Sequence, residues 1–174
     1  MKTRRQVLAS GLAFGATVLA GRALAAPARE LSFENLHTGE RLRVAYWEKG
    51  AYLPDALSAV NTILRDFRTG DIHPIAPSLL DLLVSLKTAL GTRAAYQVIS
   101  GYRSPKTNAM LVHEGGGVAS KSLHMQGMAI DIRLADVALP ALRDGAQRLG
   151  QGGVGYYPRS DFVHVDVGRV RRWG

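Results

Sequence analysis

Two short segments in the second half of the chain contain residues whose types and spacing suit metal chemistry. In SKSLHMQGMAIDIRL, His124 stands seven positions before Asp131, and aliphatic residues flank the acid. In FVHVDVG, His164 and Asp166 alternate with valines. Successive side chains of a strand point to opposite faces, so the alternation predicts that Asp131 and His164 both project from polar faces. If these two strands are neighbours, His124, Asp131 and His164 can converge on one ion.

Three nitrogen and oxygen ligands with a fourth position left to water form the pattern of catalytic zinc, with ligand distances of about 2.0 to 2.2 Å. Bound zinc lowers the pKa of water toward about 7 and polarises a carbonyl, and a nearby carboxylate can complete proton removal. Spacing alone leaves a second interpretation open, because His and Asp on sheet faces often only form hydrogen bonds. The same ligands would also accept manganese or cobalt.

Other classes of chemistry find little support in the sequence. The chain has no cysteine, which excludes disulfides, thiolate metal ligands, a cysteine nucleophile and a lipid-modified cysteine. A serine hydrolase is disfavoured because the G-x-S-x-G motif is absent. The segment GGGVASKS differs from a phosphate-binding loop because Ser120 stands where the second glycine belongs.

The first residues have the pattern of an export signal. A basic start is followed by an apolar run from Val7 to Gly21 and by the cleavage pattern Ala23-Leu24-Ala25. The pair Arg4-Arg5 is typical of the twin-arginine route. The apolar run is shorter than the roughly 18 to 20 residues that a membrane-spanning helix needs. We therefore expect residues 1–25 to be an export signal, residues 26–174 to be the mature domain, and the mature protein to be periplasmic without a stable membrane span.

Composition and charge indicate an ordinary globular domain. The chain has 174 residues, of which 47% are hydrophobic and 21% charged, so one domain with a hydrophobic core is expected. The formal charge of +8 falls to +4 without residues 1–25, because that segment contains four basic residues and no acid. This charge is a weak argument for a polyanionic partner, and we expect no nucleic acid partner and a monomer.

Hydrophobic periodicity predicts the elements that must position these residues. LSFENLHTGERLRVAYWEKG predicts a hairpin that turns at His37-Thr38-Gly39. Pro54 is expected to open a helix that Gly70 stops, and Pro77 opens a second helix that ends before Gly91. The segment YQVIS predicts a strand that ends at Gly101.

The remaining pattern alternates strands with shorter helices. Ser104-Pro105 is expected to begin a short helix, and Pro140 to Leu149 predicts an amphipathic one. GGVGYY and FVHVDVG predict two strands around the turn Pro158-Arg159-Ser160. The basic segment GRVRRWG is interpreted as a solvated terminus. Together these elements predict an α+β fold, with a single domain in which helices pack on a mostly antiparallel sheet.

The segments SGYRSPKTNAML, SKSLHMQGMAIDI and GGVGYYPRSDFVHVDVG together resemble the YcbK-type murein endopeptidases. These are grouped with the D-Ala-D-Ala carboxypeptidases and the VanX-like zinc peptidases. The most specific part of the resemblance is the pattern S-x-H-x-x-G-x-A-x-D, which covers Ser122 to Asp131. The similarity extends from about Leu31 to Trp173. It implies the D-Ala-D-Ala peptidase fold, also called hedgehog-like.

The resemblance also implies roles for individual residues. His124, Asp131 and His164 match the zinc ligands of the family, and Arg103 matches the arginine that stabilises the developing oxyanion. The function implied is that of an exported, zinc-dependent peptidoglycan hydrolase that cleaves peptide bonds near D-amino acids in stem peptides or cross-links. Without the resemblance, Arg103 would be interpreted as a structural ion-pair partner.

The general base has two candidates. In the carboxypeptidase relatives an acid lies three residues before the last histidine, and Asp161 matches that position here. A residue three positions away faces the opposite side of a regular strand, so this assignment requires an irregular backbone after the Pro158-Arg159-Ser160 turn. Asp166 shares a face with His164 without any irregularity. We predict Asp161 as the base and keep Asp166 as the alternative.

Two further alternatives stay open at the level of sequence. A cell-wall binding module could retain the fold and the metal without turnover. A small dipeptidase would also fit, and a closed rather than groove-like site would favour it. The sequence does not specify which peptidoglycan bond is cut.

Overall fold

A computed structural model describes residues 27–115 and 118–174 of the chain. The predicted export signal of residues 1–25 lies outside the described residues. Within the described part, no helix combines the length and the apolar character that a membrane crossing requires.

The described residues form eight strands and four α-helices. The strands are β1 Arg29–Asn35, β2 Arg41–Glu48, β3 Ala51–Tyr52, β4 Tyr96–Ser100, β5 Ala129–Leu134, β6 Gly153–Tyr157, β7 Phe162–Asp166 and β8 Arg171–Trp173. The helices are α1 Pro54–Ile63, α2 Pro77–Leu90, α3 Pro105–His113 and α4 Leu139–Leu149. A single 3-10 turn, Leu123–Gln126, precedes β5.

All eight strands belong to one sheet with the order β3-β2-β1-β4-β5-β7-β6-β8. The sheet is mixed: the β1–β4 and β6–β8 pairs are parallel, and the other five pairs are antiparallel. The predicted α+β fold with a mostly antiparallel sheet is therefore confirmed. The two strands that carry the candidate ligands, β5 and β7, are direct neighbours near the middle of the sheet.

One face of the sheet carries the hydrophobic core. Ile130 and Ile132 of β5 and Val163 and Val165 of β7 are buried in one cluster with leucines of α2 and α4. Because side chains alternate along a strand, the residues between these aliphatic positions project from the opposite face. The core thus fixes the direction in which the polar residues of β5 and β7 point.

The first helix is shorter than the sequence predicts. A helix that continues to Gly70 is wrong, because α1 ends at Ile63. The carbonyl of Leu64 accepts a hydrogen bond from the backbone N–H of Tyr102 at 2.7 Å. The chain leaves the helix because Leu64 and the residues after it bind the loop that follows β4.

Three short elements were not predicted. Ala51–Tyr52 forms an edge strand, and Leu123–Gln126 forms a 3-10 turn where no helix was expected. The interpretation of GRVRRWG as a solvated terminus is wrong, because Arg171–Trp173 forms a strand parallel to β6. A three-residue strand with two arginines has too weak a hydrophobic pattern to be recognised by periodicity.

Candidate active site

The structure brings the three predicted ligands together on the sheet face opposite the core. Asp131 of β5 and His164 of β7 are directly paired across the antiparallel ladder. His124 lies on the 3-10 turn, and its side chain reaches the same point. All three residues are buried, with exposed fractions of 2% for His124, 5% for Asp131 and 8% for His164.

One ligand atom of each residue faces the other two. His124 Nε2 lies 3.1 Å from His164 Nδ1 and 3.2 Å from Asp131 Oδ1. His164 Nδ1 lies 2.9 Å from Asp131 Oδ1. The three atoms therefore form a nearly equilateral triangle. A cation can bind above the plane of this triangle, in contact with all three atoms.

The second nitrogen of His124 is held by the backbone. His124 Nδ1 donates to the carbonyl of Gly101 at 2.7 Å, because a neutral imidazole can donate to a carbonyl only from its protonated nitrogen. The unprotonated Nε2 then faces the triangle. The Ser122 hydroxyl accepts a hydrogen bond from the backbone N–H of His124 at 3.3 Å and so helps to fix the turn that carries this histidine.

The second nitrogen of His164 is held by a carboxylate. His164 Nε2 lies 3.0 Å from Asp166 Oδ2, and donation to this oxygen leaves the unprotonated Nδ1 facing Asp131 and His124. A carboxylate that orients a ligating histidine is a common feature around protein-bound metals. Sequence alternation placed Asp166 on this face but did not reveal that it contacts the histidine.

Burial and neighbouring groups shift the pKa values of Asp131 and His164 in opposite directions. Burial would raise the pKa of Asp131, but the neighbouring His124 and His164 outweigh it and hold the pKa below its ordinary value. Burial would likewise lower the pKa of His164, but hydrogen bonds to Asp131 and Asp166 outweigh it and raise the pKa. In the metal-free protein the cluster thus favours an ionised Asp131 beside a protonated His164. A metal bound by both residues would displace the His164 Nδ1 proton.

The donor set fits a divalent metal ion. Two imidazole nitrogens and one carboxylate oxygen are the ligand types of catalytic zinc sites. The orientation of both rings leaves two lone pairs and one carboxylate oxygen facing a common point in a buried setting. With both rings neutral these acceptors would repel one another, and a cation at that point would offset the repulsion.

Arg103 lies beside this triangle. Its Nη2 is 3.7 Å from Asp131 Oδ2, and its Nη1 donates to Asn108 Oδ1 at 3.4 Å. Arg103 is 8% exposed, and its Nε is a buried atom that has no hydrogen-bond partner among the described residues. Burial lowers the pKa of Arg103 and Asp131 opposes this effect, but a guanidinium stays charged in proteins.

The loop that carries Arg103 is anchored by Asp66. The Asp66 carboxylate accepts hydrogen bonds from the backbone N–H groups of Ser104 at 2.9 Å and Arg68 at 3.0 Å. Burial would raise the pKa of Asp66, but hydrogen bonds from Thr107, Ser104 and Arg68 lower it to about 2. The premature end of α1 therefore places an ionised acid under the loop that supplies Arg103 and the Gly101 carbonyl.

The two candidate bases have different surroundings. Asp161 has a positive φ of 54°, which provides the irregular backbone that its assignment requires. Its carboxylate is mostly exposed and binds Arg133, so the structure does not bring it into contact with the three ligands. Asp166 is fully buried and binds Arg171, His164 and two backbone N–H groups.

A cleft of about 360 Å³ opens onto the triangle. Arg103, the loop around Lys121 and the aromatic residues Tyr157, Phe162 and Trp173 line it. The Trp173 ring centre lies 5.2 Å from that of His164, and Trp173 Nε1 donates to the Tyr157 hydroxyl at 2.9 Å. These aromatic contacts were missed because β8 was not predicted.

Comparison with known proteins gives the site a family. The family model described as Peptidoglycan L,D-endopeptidase MepK matches residues 23–173. The chain belongs to this family. It is 43% identical to "Peptidoglycan L,D-endopeptidase MepK" of Escherichia coli strain K12 over 175 residues, which cover 98% of this chain and 96% of that protein. It is 41% identical to "Probable peptidoglycan L,D-endopeptidase MepK" of Haemophilus influenzae over 175 residues, which cover 98% of this chain and 94% of that protein.

Membership of the MepK family makes the chain a peptidoglycan hydrolase of the metallopeptidase class. The resemblance to murein endopeptidases is thereby confirmed, and so is the predicted class of enzyme.

Proposed function

We propose that this protein is a zinc-dependent endopeptidase that hydrolyses L,D peptide bonds in peptidoglycan cross-links. The observation that carries the proposal is the triangle of His124 Nε2, Asp131 Oδ1 and His164 Nδ1, whose sides measure 2.9 to 3.2 Å. The names of the MepK relatives support the choice of bond. We also propose that the mature protein is a periplasmic monomer exported by the twin-arginine route.

His124, Asp131 and His164 would hold the metal. Zinc bound there would supply a water with a pKa of about 7 and would polarise the scissile carbonyl. Arg103 lies next to Asp131 at the wall of the cleft, where its fixed charge would stabilise the oxyanion that develops on that carbonyl. Tyr157 and Trp173 would exclude water and position the peptide chain along the cleft.

Asp161 is our proposed general base, which would accept the proton of the attacking water and return it to the leaving amine. Its neighbours Ser160 and Phe162 line the cleft, and the proposal requires the Asp161 carboxylate to turn from Arg133 toward the bound substrate. Asp166 is the weaker candidate, because each of its oxygens already accepts hydrogen bonds.

The test of the overall proposal uses protein purified from cells that export it. We expect about one zinc per chain, a mature N-terminus at Ala26, and the size of a monomer in light scattering. Mass spectrometry of digested muropeptides should show cleavage of L,D cross-links while D,D cross-links stay intact. Removal of zinc with a chelator should stop the cleavage, and added zinc should restore it.

A zinc-loaded protein that leaves every stem peptide and cross-link intact would contradict the enzymatic proposal. Retained binding of that protein to insoluble peptidoglycan would then favour the binding module. Release of free dipeptides without any cleavage of cross-links would favour the dipeptidase.

Replacement of Asp161 by asparagine tests the base. We expect the Asp161→Asn variant to lose about a hundredfold in kcat, since removal of a general base commonly costs 10²-fold or more. Its zinc affinity should be unchanged, because the carboxylate does not contact the ligands. Asp144→Asn is a matched control, since Asp144 is a partly exposed acid on α4 that pairs with Arg143. Full activity of Asp161→Asn would exclude Asp161 as the base.

A further inference from the structure

We infer that Arg171 is a positioning residue of the metal site. Its guanidinium donates hydrogen bonds to the buried carboxylate of Asp166, and this carboxylate contacts the ring of His164. The inference rests on the metal centre proposed above. It gives a function to strand β8, whose sequence resembles an ordinary basic segment.

Two glycines of β6 make the contact possible. Strand β6 lies between β7 and β8, and its Gly153 and Gly155 pair with Arg171 and Trp173 in the parallel ladder. A Cβ atom on Gly153 would collide with the Asp166 carboxylate and the Arg171 guanidinium, and one on Gly155 would collide with the Trp173 ring. The side chains of β8 therefore reach across β6 and contact β7.

Both carboxylate oxygens of Asp166 accept several hydrogen bonds. Its Oδ1 accepts from the N–H of Gly153 at 3.0 Å, the N–H of Gly168 at 2.8 Å and Arg171 Nη1 at 3.1 Å. Its Oδ2 accepts from Arg171 Nη2 at 2.7 Å and lies 3.0 Å from His164 Nε2. Two contacts from one planar guanidinium fix the tilt of a carboxylate as well as its position.

Arg171 influences the orientation of the His164 ring through the Asp166 carboxylate. Because Asp166 Oδ2 binds His164 Nε2, the tilt of the carboxylate sets the tilt of the imidazole and the direction of the Nδ1 lone pair. Without Arg171, the fully buried carboxylate would lose its arginine partner and keep two backbone N–H groups and His164 Nε2 as its remaining contacts. Partners in this position typically change metal affinity or activity by about 10- to 100-fold when mutated.

The test compares two neighbouring arginines of the same strand. Arg171→Met removes the contacts to Asp166, whereas Arg172→Met changes an exposed side chain whose only hydrogen bond, among the described residues, goes to the Gln147 carbonyl. We expect zinc dissociation constants, measured by competition with a chromogenic chelator, to rise about tenfold in Arg171→Met and to stay unchanged in Arg172→Met. Arg171→Lys should restore part of the affinity, because an ammonium keeps the charge but forms a single contact.

A spectroscopic measurement separates orientation from folding. The visible spectrum of the cobalt-substituted protein should shift in Arg171→Met and not in Arg172→Met, while circular dichroism of the zinc-free proteins shows whether each variant is folded. If Arg171→Met does not fold, the comparison of Arg171→Lys with Arg172→Lys decides in the same way. Wild-type zinc affinity and an unchanged cobalt spectrum in the folded Arg171 variant would overturn the inference. Failure of the unsubstituted protein to bind zinc would instead overturn the proposed function.

Discussion

The Asp131→Ala variant is expected to bind no zinc and to lose more than about 10⁴-fold in endopeptidase activity. Asp131 supplies the only carboxylate of the triangle, and the remaining pair of imidazoles leaves too few ligands for a catalytic zinc site. Enzymes typically accelerate reactions by about 10⁶-fold or more, and a hydrolase without its metal-bound nucleophile loses most of that acceleration. Zinc content by mass spectrometry and cleavage of cross-linked muropeptides measure the two effects.

Two further variants control this result. Asp131→Asn keeps the volume of the side chain in its buried position, so that a folding defect can be separated from the loss of the ligand. Asp144→Ala removes a partly exposed acid of α4 and should retain both zinc and activity. Stoichiometric zinc in folded Asp131→Ala protein would contradict the proposed ligand set.

The Arg103→Met variant is expected to keep its zinc and to lose about 10²- to 10³-fold in kcat, the usual cost of removing an oxyanion donor. Methionine retains the apolar stem of the buried side chain and removes the guanidinium, so the packing around the stem should survive. The contact with Asp131 is 3.7 Å long, which is too long for a strong hydrogen bond and indicates that Arg103 does not hold the ligand in place. Steady-state kinetics and chelator competition on the same preparation test both parts.

Arg103→Lys distinguishes charge from geometry, because lysine keeps the charge without the planar fork of donors. We expect it to recover only part of the lost kcat. Arg93→Met, which changes an exposed arginine of the turn between α2 and β4, should behave as the unsubstituted protein. An Arg103→Met variant with unchanged kcat and reduced zinc affinity would show that the residue supports the metal and does not act on the reaction.

The sequence predicts those parts of the site that follow from strand alternation. Valines and isoleucines on one face of β5 and β7 dictate that Asp131 and His164 project from the other face. The motif around His124 adds the third ligand through its resemblance to a family. The first prediction depends on a local pattern that a single sequence contains in full, and the second depends on a short motif shared with other proteins.

Other parts depend on contacts between distant segments. The early end of α1 follows from hydrogen bonds that Leu64 and Asp66 make with the loop after β4. The sequence of the helix itself contains no pattern that predicts these hydrogen bonds. The role of Arg171 similarly depends on its register against Gly153. The glycines of GGVGYY were the available signal, because two glycines spaced by two on one strand face leave room for side chains of a neighbouring strand.

The distribution of the three proposed ligands among the elements has a consequence for metal exchange. Asp131 and His164 stand on paired strands near the middle of the sheet, whereas His124 stands on a single 3-10 turn. Opening the sheet requires sub-global unfolding, but a short turn can open locally at much lower free energy. For the proposed metal, we therefore expect entry and loss to require movement of the His124 turn while the sheet stays folded.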